Sequence, residues 1–483
     1  MVHDSQVPRS CDRCHSLKER CKWTPGCPQC ERCTRVGHVC KTRRPIKRPG
    51  RPPAPFVTSR VKHSRRIQQW PGRTASPAST TTTTPEPDLS RSLSPVEYVA
   101  NTSIWKNRLS AFGQLTKPEL ALLDRAVHQD DFIQLFVLGP SFCDAHRQKL
   151  VFHLLSSRHT VLDGYLAFAL SMGDRLQANN SYKYAASALV TLRSLSVTDP
   201  VDSASCLILG WQILHFVLKL GGGELLEVCS QTLSLIKPYF SSARAIDSAY
   251  FSFLTSLVVT ETAECLFKAR KPTLRLDHPA TSTHIDGCVG LCTSLAKYAY
   301  DVATLNHAMH RTCRSTQLQD ADITWSALIE DLNNLECQVR SWKPNIPIDF
   351  CQKYTATEVA HMMCQAQVMH TALLLIMHRL RFPFGIEDAT AFHLASSIIN
   401  CMDMALHITG KRPRGMDMPL NVASVEIADE SERAQNAARF SAIGKYSGVF
   451  QERIGNKMAL IWTARRSRSD MYWYDLGDIL SCW

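Results

Sequence analysis

Seven cysteines fall between Cys11 and Cys40, and six of them repeat one spacing. Cys11, Cys14 and Cys21 are separated by two and then six residues, and Cys30, Cys33 and Cys40 reproduce both gaps. Thiolates two residues apart on one tight turn can fill two corners of a tetrahedron around zinc, at metal–sulfur distances of about 2.3 Å. A duplicated three-cysteine half therefore predicts two matching metal half-sites. Two ions with four ligands each need eight bonds, and six sulfurs supply eight only when two of them are shared. The seventh cysteine, Cys27, permits another register, with Cys27 and Cys30 paired in place of Cys30 and Cys33. That register breaks the repeat and lengthens the last gap to nine residues, so the expected ligands are the other six.

Composition sets the context for this cluster. Nineteen cysteines in 483 residues could suggest a disulfide scaffold, but such scaffolds are short secreted chains. The first residues, MVHDSQVPRSCDRC, lack the apolar core of a secretory signal, which predicts an intracellular protein with reduced thiols. No uninterrupted apolar run reaches eighteen residues; Cys206 to Leu220 is broken by Gln212, His215 and Lys219, so no membrane partner is expected. The charge is concentrated at one end. Residues 1–66 hold seventeen Lys or Arg against four acids, a local balance of +13 in a chain whose total is +12. A basic head on a near-neutral body is the electrostatic footprint of nucleic-acid binding.

With Asp12 after the first cysteine, Lys18 and Arg20 before the third, and CERCTRVGHVC closing the unit, the cluster resembles the fungal binuclear zinc-cluster (Zn2Cys6) transcription factors. The resemblance covers about thirty residues. It implies two Zn2+ per chain, held by Cys11, Cys14, Cys21, Cys30, Cys33 and Cys40, with Cys11 and Cys30 as bridges. Cys14 and Cys21 would complete one ion, Cys33 and Cys40 the other. Two dications with six thiolates carry a net charge of −2, which Lys18, Arg20, Arg32 and Arg35 are placed to offset.

The resemblance also implies double-stranded DNA as partner. HSLKER and TRVGHV, between the second and third cysteines of each half, predict two short helices. In the family the first of these meets the major groove, and the lysine three residues before the third cysteine contacts a CGG-type triplet; here it is Lys18. Lysine donates to guanine O6 and N7, which gives that role a physical basis. Arg13, Arg20 and Lys22 are then phosphate or flanking contacts. His15, Ser16 and Leu17 depart from the family's usual basic positions.

Beyond the cluster, Arg48, Pro49, Gly50, Arg51 and Pro52 look like a degenerate AT-hook in which Pro49 replaces an arginine. Arg51 would favour the negative potential of a narrow A·T minor groove. A basic linker serving as a nuclear-import signal fits the same residues. From Pro52 to Pro95 the chain is rich in Pro, Ser, Thr and Arg, a composition that predicts disorder. Ser76, Thr84 and Ser94 precede prolines, so the segment is either a site for proline-directed phosphorylation or a plain spacer. Phe56, Val57, Val61, Ile67 and Trp70 form no sustained heptad, so no coiled-coil homodimer is predicted there.

The body is expected to be helical. Thr116 and Glu119 have capping-box spacing before an apolar-periodic segment, 120–138. Further helices are expected at 147–156, 161–178, 181–194, 202–220, 223–237, 245–270, 288–315, 322–341, 356–380, 388–408, 432–443 and 446–467, with Gly221 to Gly223, Pro238 and Pro383 as punctuation. The expected fold class is thus a small Zn2Cys6 domain with two short helices (1–48), a disordered linker (49–95) and a large all-α regulatory domain (96–483).

Three further clusters have bland readings. His361, Met362, Met363, Met369, His370, Met377 and His378 read as helical core before they read as a soft-metal site. His284, Cys288 and Cys292 have helical ligand spacing but no evident fourth ligand. Glu426, Asp429, Glu430 and Glu432 read as a solvated loop or an acidic patch. The chain holds no phosphate loop, GxSxG or HExxH motif, so no enzyme is expected. The expectation is a nuclear, sequence-specific regulator of RNA polymerase II transcription, serving a metabolic or secondary-metabolite gene set. Its implied partners are DNA, the transcription machinery and a small-molecule inducer, with oligomeric state left open. The competing reading is a zinc-dependent interaction protein that binds DNA nonspecifically or binds another protein.

Overall fold

The computed structural model describes residues 10–16, 21–24, 27, 29–36, 39–42, 115–128, 133, 137–172, 175–220, 225–241, 247–277, 284–314, 318–427, 429, 431–435, 438, 448–468 and 470–481. The AT-hook-like arm, the linker and its apolar residues lie outside these. The chain divides into two compact units, Met1–Glu86 and Pro87–Trp483.

In the first unit, α1 (Asp12–Ser16) and α2 (Glu31–Arg35) each begin one residue after the leading cysteine of a half-motif. Asp12 and Glu31 place a carboxylate in the first turn, where the helix dipole favours it.

Among the described residues of the second unit there is no strand, only one isolated antiparallel bridge between Asp286 and Gly290. Its helices are α3 (Lys117–His128), α4 (Cys143–Ser156), α5 (Arg158–Ser171), α6 (Arg175–Ser194), α7 (Pro200–Leu220), α8 (Leu225–Ser241), α9 (Phe251–Lys268), α10 (Ala296–Thr312) and α11 (Leu318–Ser341). They are followed by the short α12 (Phe350–Lys353), then α13 (Ala356–Arg381), α14 (Asp388–Thr409), α15 (Asp417–Val425), α16 (Gly448–Ser467) and the short α17 (Leu476–Ile479).

Two helices form the centre. Asp199 accepts from the Asp202 N–H and Pro200 opens the first turn, so α7 starts from a cap and a proline that needs no donor. It then stays buried without a break from Ser203 to Leu214 and packs against α5, α6, α8 and α9. Glycines permit this closeness. A Cβ on Gly164 would lie 2.6 Å from Gln212 Oε1, and one on Gly210 would lie 2.3 Å from Thr232 Oγ1. The second central helix, α13, opens with a complete capping box between Thr355 and Glu358, and packs against α11, α14 and α15. Both helices are long and apolar enough to cross a membrane, yet most of each apolar window is buried inside the body. They are core helices by packing.

Several expected elements differ. The helix of 120–138 is Lys117–His128, with the Thr116 N–H donating to Glu119 Oε2 at 2.7 Å. Pro238 lies inside α8 rather than ending it, because burial of Ile236 and Tyr239 holds the last turn on the core. Residues 288–292 are not helical: buried Asp286 accepts from the Cys288 and Val289 N–H groups, and Gly290 has φ 55°, so the chain turns tightly before α10. That removes the helical spacing from His284, Cys288 and Cys292. The expected loop after 408 contains α15, whose first turn carries Asp417 and Pro419.

Glu426 is neither solvated nor part of an acidic patch. It lies at the end of α15 with its side chain 3% exposed, facing the fully buried Arg379 of α13. All five guanidinium N–H donors of Arg379 are used. Nε and Nη2 donate to Glu426 Oε1 and Oε2, each at 2.8 Å, and Nη1 donates to the carbonyls of Pro383 at 2.9 Å and Ile386 at 2.8 Å. Nη2 also donates to Asp388 Oδ1 at the start of α14. Removing one partner strands a buried charge, which typically costs about 3–5 kcal/mol, whereas exposed changes stay within about 0.5 kcal/mol. Glu426→Ala is therefore expected to lower the unfolding free energy by about 3 kcal/mol in urea titrations, while Glu432→Ala changes it by less than about 0.5 kcal/mol.

Candidate metal centre

The structure brings the six repeated cysteines together and leaves the seventh out. Cys11, Cys14, Cys30 and Cys33 form the buried core of the first unit, with Cys21, Trp23 and Cys40 packed against it. Their sulfurs sort into two sets of four, Cys11, Cys14, Cys21 and Cys30, and Cys11, Cys30, Cys33 and Cys40. Within each set every sulfur lies within 4.8 Å of the others. Cys11 and Cys30 belong to both sets, whereas Cys27 is exposed and belongs to neither.

The spacing of these atoms discriminates between chemistries. Cys11 Sγ is 3.8 Å from Cys30 Sγ and 3.7 Å from Cys33 Sγ, and Cys14 Sγ is 3.8 Å from Cys30 Sγ. Disulfides require about 2.05 Å. A tetrahedron with metal–sulfur bonds of about 2.3 Å has edges of about 3.8 Å, so the donor set fits a four-coordinate soft metal. Both shared sulfurs sit at helix starts, where backbone donors are available.

Backbone bonds repeat across the two halves. The Cys11 N–H donates to Cys21 Sγ at 3.3 Å and the Cys30 N–H to Cys40 Sγ at 3.5 Å. Reciprocally, Asp12 donates to the Lys41 carbonyl at 2.8 Å and Glu31 to the Lys22 carbonyl at 3.0 Å. Each half thus anchors the chain that leaves the other.

The thiols divide by environment. Burial pushes Cys30 up, but the Cys33 N–H and the neighbouring thiols outweigh it and bring it down to about 6. Cys11 is lowered in the same way, burial being outweighed by donors from Cys14 and its sulfur neighbours. Burial together with hydrogen bonds to Cys11 and Cys30 raises Cys14 and Cys33, and burial raises Cys21 to about 12 and also raises Cys40.

Of the expected DNA-contacting residues, Lys22 is described and exposed. Lys18, Arg20 and Arg51 lie outside the described residues, as does the side chain of Arg13. In the second unit, no group of His, Cys, Asp or Glu among the described residues forms a further metal set. His361 bonds Thr409 Oγ1, His370 bonds the Val339 carbonyl and His378 bonds the Glu387 carbonyl, while Met362, Met369 and Met377 are buried. Met363 of that cluster is exposed; the buried members belong to the core, and each histidine is fixed by its own hydrogen bond. The sequence reading missed a cavity of about 820 Å³ in the helical unit, lined from helices far apart in sequence.

Loss of a sulfur common to both sets removes a ligand from each. Cys30→Ser is expected to abolish stoichiometric zinc binding and Cys27→Ser to leave it intact, as read by native mass spectrometry.

Residues 170–483 match the model of the fungal specific transcription factor domain, which includes α7, α13 and most of the cavity lining but neither the 137–140 wall nor the cysteine cluster. Neither a curated protein nor a solved structure matches the chain significantly.

Proposed function

The chain belongs to the fungal specific transcription factor domain family, and from that premise we propose that this transcription regulator binds DNA through a zinc-dependent head that reads CGG-type sites. The observation that carries this reading is the sorting of six sulfurs into two sets of four that share Cys11 and Cys30. Two Zn2+ bound there would cross-link two short helices that have little else to fold around.

The chain's own residues do the rest. Lys18, three residues before Cys21, would donate to guanine acceptors, while Arg13, Arg20 and the exposed Lys22 hold phosphates. The concentration of +13 within residues 1–66 supplies the salt-dependent part of the affinity. Arg51 extends the contact into an adjoining A·T minor groove. RNA polymerase II transcription of a metabolic or secondary-metabolite gene set, in the nucleus, is the setting this reading implies. The three-part layout, a head at 1–48, a linker at 49–95 and a regulatory body at 96–483, belongs to the same proposal.

Competition binding of the zinc-loaded chain tests it. A CGG-containing duplex is expected to outcompete random DNA by at least about a thousandfold at physiological salt. Lys18→Ala should remove most of that preference, and Arg51→Ala should erase only the flanking A·T preference in binding-site selection. Equal competition by random DNA would instead identify a nonspecific DNA-binding or protein-interaction module.

A further inference from the structure

The cavity in the helical unit has the volume of a ligand site, about 820 Å³, within the usual range for small-molecule pockets. It is walled by one face of α9, the C-terminal end of α7, the first half of α13, the 411–418 segment and α16. Phe168, Leu218, Val259, Phe267, Met369 and Phe450 make much of the lining apolar.

Two amide oxygens within this lining lack partners among the described residues. Gln365 is fully buried, and its Nε2 donates to the carbonyls of Cys288 at 3.2 Å and Arg414 at 3.5 Å. Those donors fix the amide orientation and leave Oε1 as a buried acceptor without a hydrogen bond. Asn421 Oδ1, from α15, is in the same condition. Backbone closes tightly around Gln365: a Cβ on Gly290 would lie 2.9 Å from Oε1, and one on Gly415 would lie 2.6 Å from Nε2. Both glycines have positive φ, 55° and 66°, so the amide is held in a slot that larger residues would obstruct. A buried acceptor left without a donor costs about 1–3 kcal/mol, which a ligand's donor would recover.

The lining carries five Lys or Arg against three acids, Glu264, Glu358 and Asp417, a balance that favours an anion. Lys457 projects from α16 with its ammonium 3.7 Å from the Phe267 ring centroid, and no carboxylate of the described residues is within ion-pair distance of it. Burial, with Lys268 and Arg453 nearby, lowers its pKa despite the more distant Glu264. Exposed Lys411 and Arg412 add positive charge at the lining. The carboxylate of Glu358 is already used, accepting from Thr355 and from the N–H and hydroxyl of Ser141.

We propose that this cavity binds a small organic acid with a mainly apolar body, its acidic group meeting Lys457 and an N–H or O–H donor meeting Gln365. The assignment is independent of how the cysteine head reads DNA. It concerns a site of the helical unit alone.

Two dyes of one skeleton test it on the full chain. Anilinonaphthalene sulfonate carries an apolar body, an N–H donor and an anion; phenylnaphthylamine lacks only the anion. Fluorescence titration is expected to show one saturable site that prefers the sulfonate. Lys457→Met should weaken the sulfonate by about tenfold, the loss of one charge-assisted bond, and leave the neutral dye unchanged. Gln365→Met should weaken both dyes. Ala263→Trp, which fills the α9 wall, should abolish binding of both while far-ultraviolet circular dichroism stays unchanged; if it does not fold, Thr260→Phe at the same wall serves. Equal affinity for the two dyes, indifference to Lys457→Met or to Gln365→Met, or unsaturable binding that survives the filled cavity would each overturn the proposal.

Discussion

The described residues of the first unit have little to bury except sulfur. Among its described residues the interior is Cys11, Cys14, Cys30 and Cys33, with Cys21, Cys40 and half-buried Trp23 around them. A segment this small has little apolar surface to set against its conformational entropy, and what its described interior offers instead is a set of convergent sulfurs. That constraint organises the local geometry. Both helices start one residue after a shared sulfur, and the Asp12–Lys41 and Glu31–Lys22 backbone bonds tie each half to the exit of the other.

The helical unit meets the opposite condition. It has apolar surface to spare, and its buried charges act as ties where helices meet connections. Arg379 binds the end of α13 to the 383–386 turn, the start of α14 and the end of α15. Glu358 binds the start of α13 to Ser141, and Asp286 binds the 286–290 turn to Thr255 of α9. His153 is held between Ser205 Oγ and Tyr250 Oη, and burial brings its pKa down to about 4, so it is neutral in this setting. Each of these groups fixes a non-helical segment whose own apolar content is too small to hold it.

Some of the structure is legible where one local pattern carries the information. The duplicated cysteine spacing selected the six sulfurs that converge and set Cys27 aside, because chain connectivity over a few residues dictates which thiols can meet. Helical periodicity located α7, α13 and α14 within a few residues, since their apolar positions repeat along one segment. Failures came where partners are distant. Glu426 looked like one of four acids in a loop because Arg379 lies 47 residues away in the chain. Cys288 and Cys292 looked helical because nothing local reveals that Asp286 captures the Cys288 and Val289 amides. Pro238 looked like a stop because the burial that overrides it comes from other helices. The cavity was illegible for the same reason: Gln365, Asn421 and Lys457 share no motif and meet only through tertiary packing.

The same ties explain why the cavity stays open. Apolar walls tend to collapse on empty space, because lost packing is costly. Here Arg414 Nη1 donates to the Val137 carbonyl, Leu138 donates to the Gly287 carbonyl, and Ser141 is held by Glu358, so the 137–141 wall is pinned by polar bonds on one side. Gln365 ties the same region to Cys288 and Arg414. These bonds are directional, so closing the gap would strand several buried polar groups at once. The geometry that keeps the space is therefore paid for by hydrogen bonds rather than by packing, and the two amide oxygens left over are where an occupant would complete the network.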